Sequence, residues 1–285
     1  MTDQSSLPSP LARAGIGILM LVCGISVFIF GTNYYTIFPT NQSQLYRIIL
    51  GLIFLAGALI TRKKPDLKTY SNLSYAFFVA IATYFLTSWF AVYRDPLLQE
   101  IGLLPGSDPY LFAVKALEAV IVIGAILVLT LAWGEKPRDL YLKKGKLGLA
   151  LFIGLCLFAI NTATGIVTGA VRGQAGDLLI ARLPWAVGFS LANALMEEML
   201  FRGLFLGKMK YLIGVKGSIL LTSIVFTVMH AAATYMNPME SILFQVIIFP
   251  MALLFAYLIY KTDNLWASTL YHAGSDVFLF YLMAL

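Results

Sequence analysis

Hydrophobic residues in this chain fall into long unbroken runs, and polar residues gather in the short stretches between them. Nine runs approach or reach the roughly 20 residues that a helix needs to cross a hydrocarbon core, covering residues 14–31, 46–61, 75–93, 113–133, 147–170, 184–206, 217–235, 242–260 and 264–284. The second is short, as expected of a tilted or partly interfacial helix. The weakly charged Met1 to Arg13 precede the first run and no small-residue cleavage pattern follows it, so it reads as a retained anchor. Turn chemistry concentrates in Pro39-Thr40-Asn41 and in Leu104-Pro105-Gly106-Ser107-Asp108-Pro109, without a long linker. The pattern predicts an all-α, polytopic membrane helix bundle of about nine transmembrane helices. It forms one membrane unit in which residues 1–145 carry four spans without a motif and residues 146–285 carry five spans and the chemistry. A small-xxx-small pair, Gly165 and Gly169, is the one helix-packing motif of note.

Composition agrees with that pattern. With 60% hydrophobic and 12% charged residues, 285 residues cannot coat a water-soluble globule with polar surface. The net charge of +6 raises nucleic-acid binding as a question. The cations, however, sit in short clusters between apolar runs, where they read as topology signals. If the N-terminus is cytoplasmic and nine helices alternate, 14 of the 20 cations fall inside: Arg13, the 62–68 cluster, the 136–146 cluster, Lys208, Lys210, Lys216 and Lys261. Arg47, Arg94, Lys115, Arg172 and Arg182 fall at or near the outer side, and Arg202 falls within a span. The orientation predicted is N-in and C-out, with no nucleic-acid partner. Cys23 and Cys156 lack the spacing of a zinc site or a disulfide scaffold and read as packing residues.

A charge at mid-bilayer costs at least about 2.5 to 3.5 kcal/mol, so an ionisable residue deep in a span is a functional candidate. Those here are Glu118, Glu197, Glu198, Arg202, His230, His272 and Asp276. On a helix Glu198 and Arg202 are i,i+4 neighbours and can neutralise one another, whereas Glu197 points about 140° away from Arg202. Glu197 is thereby placed to act as a general base. The chain's two histidines, His230 and His272, both fall within apolar runs, and Asp276 stands i,i+4 from His272, where it can hold one ring nitrogen. Counted at 1.5 Å per residue, Glu197, His230, His272 and Asp276 lie about 12 to 20 Å from the cytoplasmic helix ends, one layer within ordinary tilt. Three helices can thus deliver a base, two imidazoles and an orienting carboxylate to one cavity, enough to activate water against an amide or ester. The alternative from the same residues is a proton-coupled transporter using Glu118, Glu197 and His230 as a relay. Asn161 and Asn193, and the apolar Leu200, Phe201, Leu204, Phe205 and Leu206, are candidates to line the cavity.

Glu197-Glu198-x-x-x-Arg202, Phe226-x-x-x-His230 and His272-x-x-x-Asp276, in this order, resemble the three motifs of the CPBP family of intramembrane proteases. That family includes type II CAAX prenyl endopeptidases and bacteriocin-processing or self-immunity proteins. The resemblance covers about residues 184–280 and implies helices around a water-filled, cytoplasm-facing polar cavity. It also implies that Glu197 activates the water with help from His230, and that His272 and Asp276 serve the oxyanion. The family position matching Asp276 is often Asn. An ionised Asp cannot donate to an oxyanion, which favours orientation of His272 as its role. Glu198, Arg202 and Phe226 are then supporting residues. The sequence lacks HExxH, so no metal is expected; a zinc ion, if bound, would take Glu197, His230 and His272. The resemblance further implies a membrane-embedded or lipidated peptide substrate and a multi-pass location in the plasma membrane, of bacterial type. A catalytically weak interaction or immunity protein is a further alternative.

Overall fold

The computed structural model of the protein describes residues 7–32, 38–231 and 238–283. These residues form helices α1 (Pro10–Phe28), α2 (Thr40–Arg62), α3 (Lys68–Glu100), α4 (Asp108–Trp133), α5 (Leu147–Val171), α6 (Gly176–Glu198), α7 (Leu206–Met229), α8 (Pro238–Thr262) and α9 (Trp266–Met283), with no strand among them. Eight, α1 to α8, are long and apolar enough to cross a membrane; α9 has 18 residues. The protein is a polytopic bundle of membrane helices.

Local chemistry sets several helix ends. Ser9 and Ser107 each accept a hydrogen bond from the backbone N–H three residues on, capping α1 and α4. Gly134, with φ of 93°, closes α4 in the left-handed conformation that a residue with a Cβ resists. The α7 segment begins at Leu206, eleven residues before the apolar run that predicted it, and breaks at Gly214 (φ 78°). At its other end α7 stops at Met229, so His230 sits in the closing turn and not inside a span. Residues 232–235 of the predicted seventh run lie outside the described residues.

The loops expected to be cytoplasmic gather at one end of the bundle. Arg62 lies over the Trp133 ring at 4.2 Å, Lys208 pairs with Glu135 at 2.9 Å, and Lys143 pairs with Asp263 at 2.7 Å. Asn264 stitches this end. Its amide donates to the carbonyls of Lys143 and Lys144, and its Oδ1 accepts from Trp266 N–H at the start of α9. At the opposite end Arg182 makes a bidentate pair with Asp108, 2.7 and 2.9 Å, tying α6 to α4.

Helix α9 is held against α5 by glycines. A Cβ added at Gly274 would stand 2.7 Å from Phe158 Cα, one at Gly154 2.9 Å from Leu270 Cβ, and one at Gly165 2.9 Å from Phe278 Cα. Gly165 therefore serves the α5–α9 contact, while Gly169 faces Leu179 and Gln174. Because the neighbour of Gly274 is backbone, it cannot swing aside. Gly274→Ala is expected to lower stability by about 1 to 3 kcal/mol through overpacking. Thermal unfolding of the purified protein reads this, with Gly124→Ala, whose Cβ would meet nothing within 4 Å inside α4, as the comparison that does not fall below the wild-type melting temperature.

The main apolar cluster joins the N-terminal helices to the C-terminal ones. Phe28 of α1 meets Phe201 at 4.5 Å between centroids, Phe77 of α3 meets Phe205 at 4.8 Å, and Phe201 meets Phe226 of α7 at 5.1 Å. Leu200, Phe201, Leu204, Phe205 and Leu206 are at most 4% exposed within this cluster. They pack the bundle and do not line an open cavity, a correction to the sequence-based expectation. An amphiphilic substrate cannot reach side chains that already fill one another's space.

Candidate active site

The end of α6 supplies the two carboxylates. Beyond Glu198 the chain continues as a π-helical turn, Met199–Gly203, in which Leu204 N–H reaches back to the Met199 carbonyl at 3.0 Å. Within this widened turn Arg202 Nη1 donates to Glu198 Oε1 at 2.9 Å, with both side chains fully buried. The guanidinium also donates to the Ala252 carbonyl at 3.3 Å and lies 4.2 Å from the centre of the Phe226 ring.

Glu198 has its acceptor sites filled by three side chains, one from the π-helical turn and two from α9. Besides Arg202, Ser268 Oγ donates to its Oε2 at 2.6 Å and His272 Nδ1 lies 2.9 Å from its Oε1. A carboxylate paired with a guanidinium only accepts, so His272 Nδ1 carries the hydrogen and Nε2 points the other way. The ring is also fixed from its faces. Phe255 of α8 stacks on it at 4.7 Å and 15°, and Phe226 meets it edge-on at 5.6 Å.

The sequence reading assigned orientation of His272 to Asp276. The geometry gives that contact to Glu198. Asp276 Oδ1 stands 3.6 Å from His272 Nε2, too far for a hydrogen bond, while its Oδ2 accepts from Asn193 Nδ2 at 2.9 Å. The physical reason is register across helices: one turn of α9 carries Ser268 and His272 past the end of α6, where Glu198 meets both. Asn193 joins the site as expected. Asn161 does not, since its amide donates to the Leu157 carbonyl of its own helix.

His230 is held by the helix it terminates. Its Nδ1 lies 2.8 Å from the Phe226 carbonyl, one of the acceptors left open at the end of α7. That carbonyl also fixes the tautomer, with hydrogen on Nδ1 and a lone pair on Nε2. The Phe226 ring lies 4.4 Å from the imidazole centre. Phe226 thus touches Arg202, His230 and His272 together.

Glu197 lies between the imidazoles. Its Oε2 is 3.6 Å from His230 Nε2 and 3.6 Å from His272 Nε2, with a 9% exposed side chain and no protein donor among the described residues. The Nδ1 atoms of both imidazoles are engaged elsewhere, with the Phe226 carbonyl and with Glu198. The structure therefore brings Glu197, His230, His272 and Asp276 to one place, with Glu198, Arg202 and Phe226 beneath them. Sequence reasoning missed Ser268 and Phe255. Ser268 stands i−4 from His272 and was open to the same periodicity argument, whereas nothing in α8 marks Phe255.

No three His, Cys, Asp or Glu among the described residues are disposed to hold one metal ion. Glu118 is separate from the site: Arg94 Nη1 holds it at 2.7 Å and Lys115 Nζ at 2.9 Å.

A bundle of apolar helices closing on a buried carboxylate and two imidazoles defines a membrane protein with a polar site built inside its spans. Comparison with known families names the class: residues 179–278, from α6 into α9, match the model of the type II CAAX prenyl endopeptidase Rce1-like family. The match covers about a third of the chain, and this third contains all three motifs. No curated protein and no solved structure matches the chain.

Proposed function

We propose that the protein is an intramembrane endopeptidase that hydrolyses a peptide bond of a membrane-associated or lipidated peptide with a water activated by Glu197 and His230. The observation that carries this reading is the Glu197 Oε2 atom, buried, without a protein donor among the described residues, and 3.6 Å from two imidazole Nε2 atoms. A water bridging Glu197 Oε2 and the His230 Nε2 lone pair donates one hydrogen to each and turns its own lone pair outward. As its oxygen bonds to the scissile carbonyl carbon, the proton passes to Glu197. The C–N bond then breaks and Glu197 returns the proton to the leaving amine. His272, in its imidazolium form, donates through Nε2 to the oxyanion, while Glu198 accepts from Nδ1 and holds the ring in line. Asp276, held by Asn193 at 2.9 Å, sits beside that nitrogen and supplies no donor to the oxyanion.

The reading routes no step through a metal, so treatment with a zinc chelator is expected to leave the cleavage rate unchanged. Asp276→Asn is expected to retain activity within about tenfold, since Asn keeps the size and the contact with Asn193, whereas Asp276→Leu removes that contact. Cleavage rates of the two variants decide this. Equal loss in both would assign Asp276 a charged role. The orientation that suits the reading is N-terminus inside, in a bacterial plasma membrane. Nothing observed favours the transporter alternative, because Glu118 is engaged by Arg94 and Lys115 instead of facing Glu197.

The test is terminal proteomics of membranes from cells carrying wild type or Glu197→Gln at matched levels. New peptide ends that depend on the carboxylate support proteolysis and identify the substrate class. Identical ends, with both proteins inserted, overturn the reading for the host's own proteins.

A further inference from the structure

Close approaches flank a groove between α1 and α7. Leu7, just before α1, lies against Gly214, where a Cβ would stand 3.6 Å from Leu7 Cδ1; deeper, a Cβ at Gly24 would stand 2.8 Å from Val225. Between these contacts runs a groove of about 400 Å³, lined by Gly17, Ile18 and Leu21 of α1 and by Gly217, Leu220 and Ile224 of α7. Arg13, near the start of α1, is its single charged lining residue and has no ion-pair partner among the described residues. Lys216, next in sequence to the lining Gly217, is exposed and likewise unpaired among them.

We propose that this groove binds one anionic glycerophospholipid, its phosphate against Arg13 and one acyl chain between α1 and α7. Charge and shape both argue for this occupant. A single cation sits at the end of an otherwise apolar trough, which matches the polarity of a lipid from headgroup inward. The lining of α1 from Pro10 to Leu21 extends about 16 Å, close to half of a hydrocarbon core. A volume of about 400 Å³ is small for a helix about 10 Å across but within the range of small-ligand sites. The groove lies between two helices long and apolar enough to cross a membrane, whose outer faces would meet lipid. A bound chain would brace α1 against α7, and Phe28, Phe201 and Phe226 connect that contact to the turn that holds His230. The inference does not depend on the proposed chemistry.

Native mass spectrometry of the full chain, purified with equal phosphatidylglycerol and phosphatidylcholine, tests it. Wild type is expected to retain one phosphatidylglycerol in preference to phosphatidylcholine. Arg13→Gln is expected to reduce that preference about fivefold, as loss of about 1 kcal/mol per basic contact requires. Gly17→Leu projects a side chain into the groove from a Cβ position that meets nothing within 4 Å, and is expected to abolish retention of either lipid. Gly15→Leu, equally unobstructed but outside the groove, is expected to behave as wild type. Excess inorganic phosphate should leave the lipid in place. Undiminished retention in folded Gly17→Leu, no preference in wild type, or displacement by phosphate alone would each overturn the assignment. Melting temperatures of the variants separate loss of lipid from loss of fold.

Discussion

Glu197→Gln is expected to stop peptide-bond hydrolysis while leaving the bundle intact. Gln matches Glu in size, so the packing against His230 and His272 is kept, but a neutral amide cannot take a proton from water. Removing a general base costs about 10² to 10⁴ in rate. The fold has little to lose, because Glu197 Oε2 accepts no hydrogen bond from the protein among the described residues. A cleavage assay in proteoliposomes, paired with thermal unfolding, reads both halves of the expectation. Full activity in the Gln variant would remove Glu197 from the chemistry.

Glu198 behaves in the opposite way. Its partner Arg202 is fully buried, and so is Glu198 itself. Arg202→Met leaves an anion inside the bundle that has lost its counter-charge, a change that costs about 3 to 5 kcal/mol. The single variant is expected to unfold well below wild type or fail to accumulate. Glu198→Gln combined with Arg202→Met removes both charges and is expected to recover most of the lost melting temperature, because two neutral side chains of similar volume replace the pair. The recovered protein should still be slow, since His272 Nδ1 no longer faces an anion. Melting temperatures of the two singles and the double give the coupling directly. If the double variant falls by the sum of the singles, the pair does not act as a unit.

The contrast between adjacent glutamates shows how far the sequence reaches. Helical periodicity was enough to pair Glu198 with Arg202 and to leave Glu197 without a partner, since both statements concern one helix and its 100° step. The same periodicity placed Asp276 near His272 but could not show that Glu198 makes the hydrogen bond to the ring, because proximity along α9 does not determine which neighbouring helix approaches the imidazole. His230 illustrates another boundary. An apolar run suggested a span continuing through it, yet α7 ends one residue earlier and uses the imidazole to satisfy an open carbonyl.

What the sequence determined by itself is the class of protein and the set of reactive groups. Apolar runs long enough to cross a bilayer, clustered cations between them and a handful of ionisable residues inside them are properties of local composition, and hydration energies alone decide their meaning. The tertiary structure decided which groups meet. Glycine contacts bring α9 against α5, the π-helical turn carries Arg202 beneath Glu198, and α8 delivers Phe255 to the face of His272. These depend on distances between helices far apart in the chain, and such distances are set by packing, which no single helix encodes.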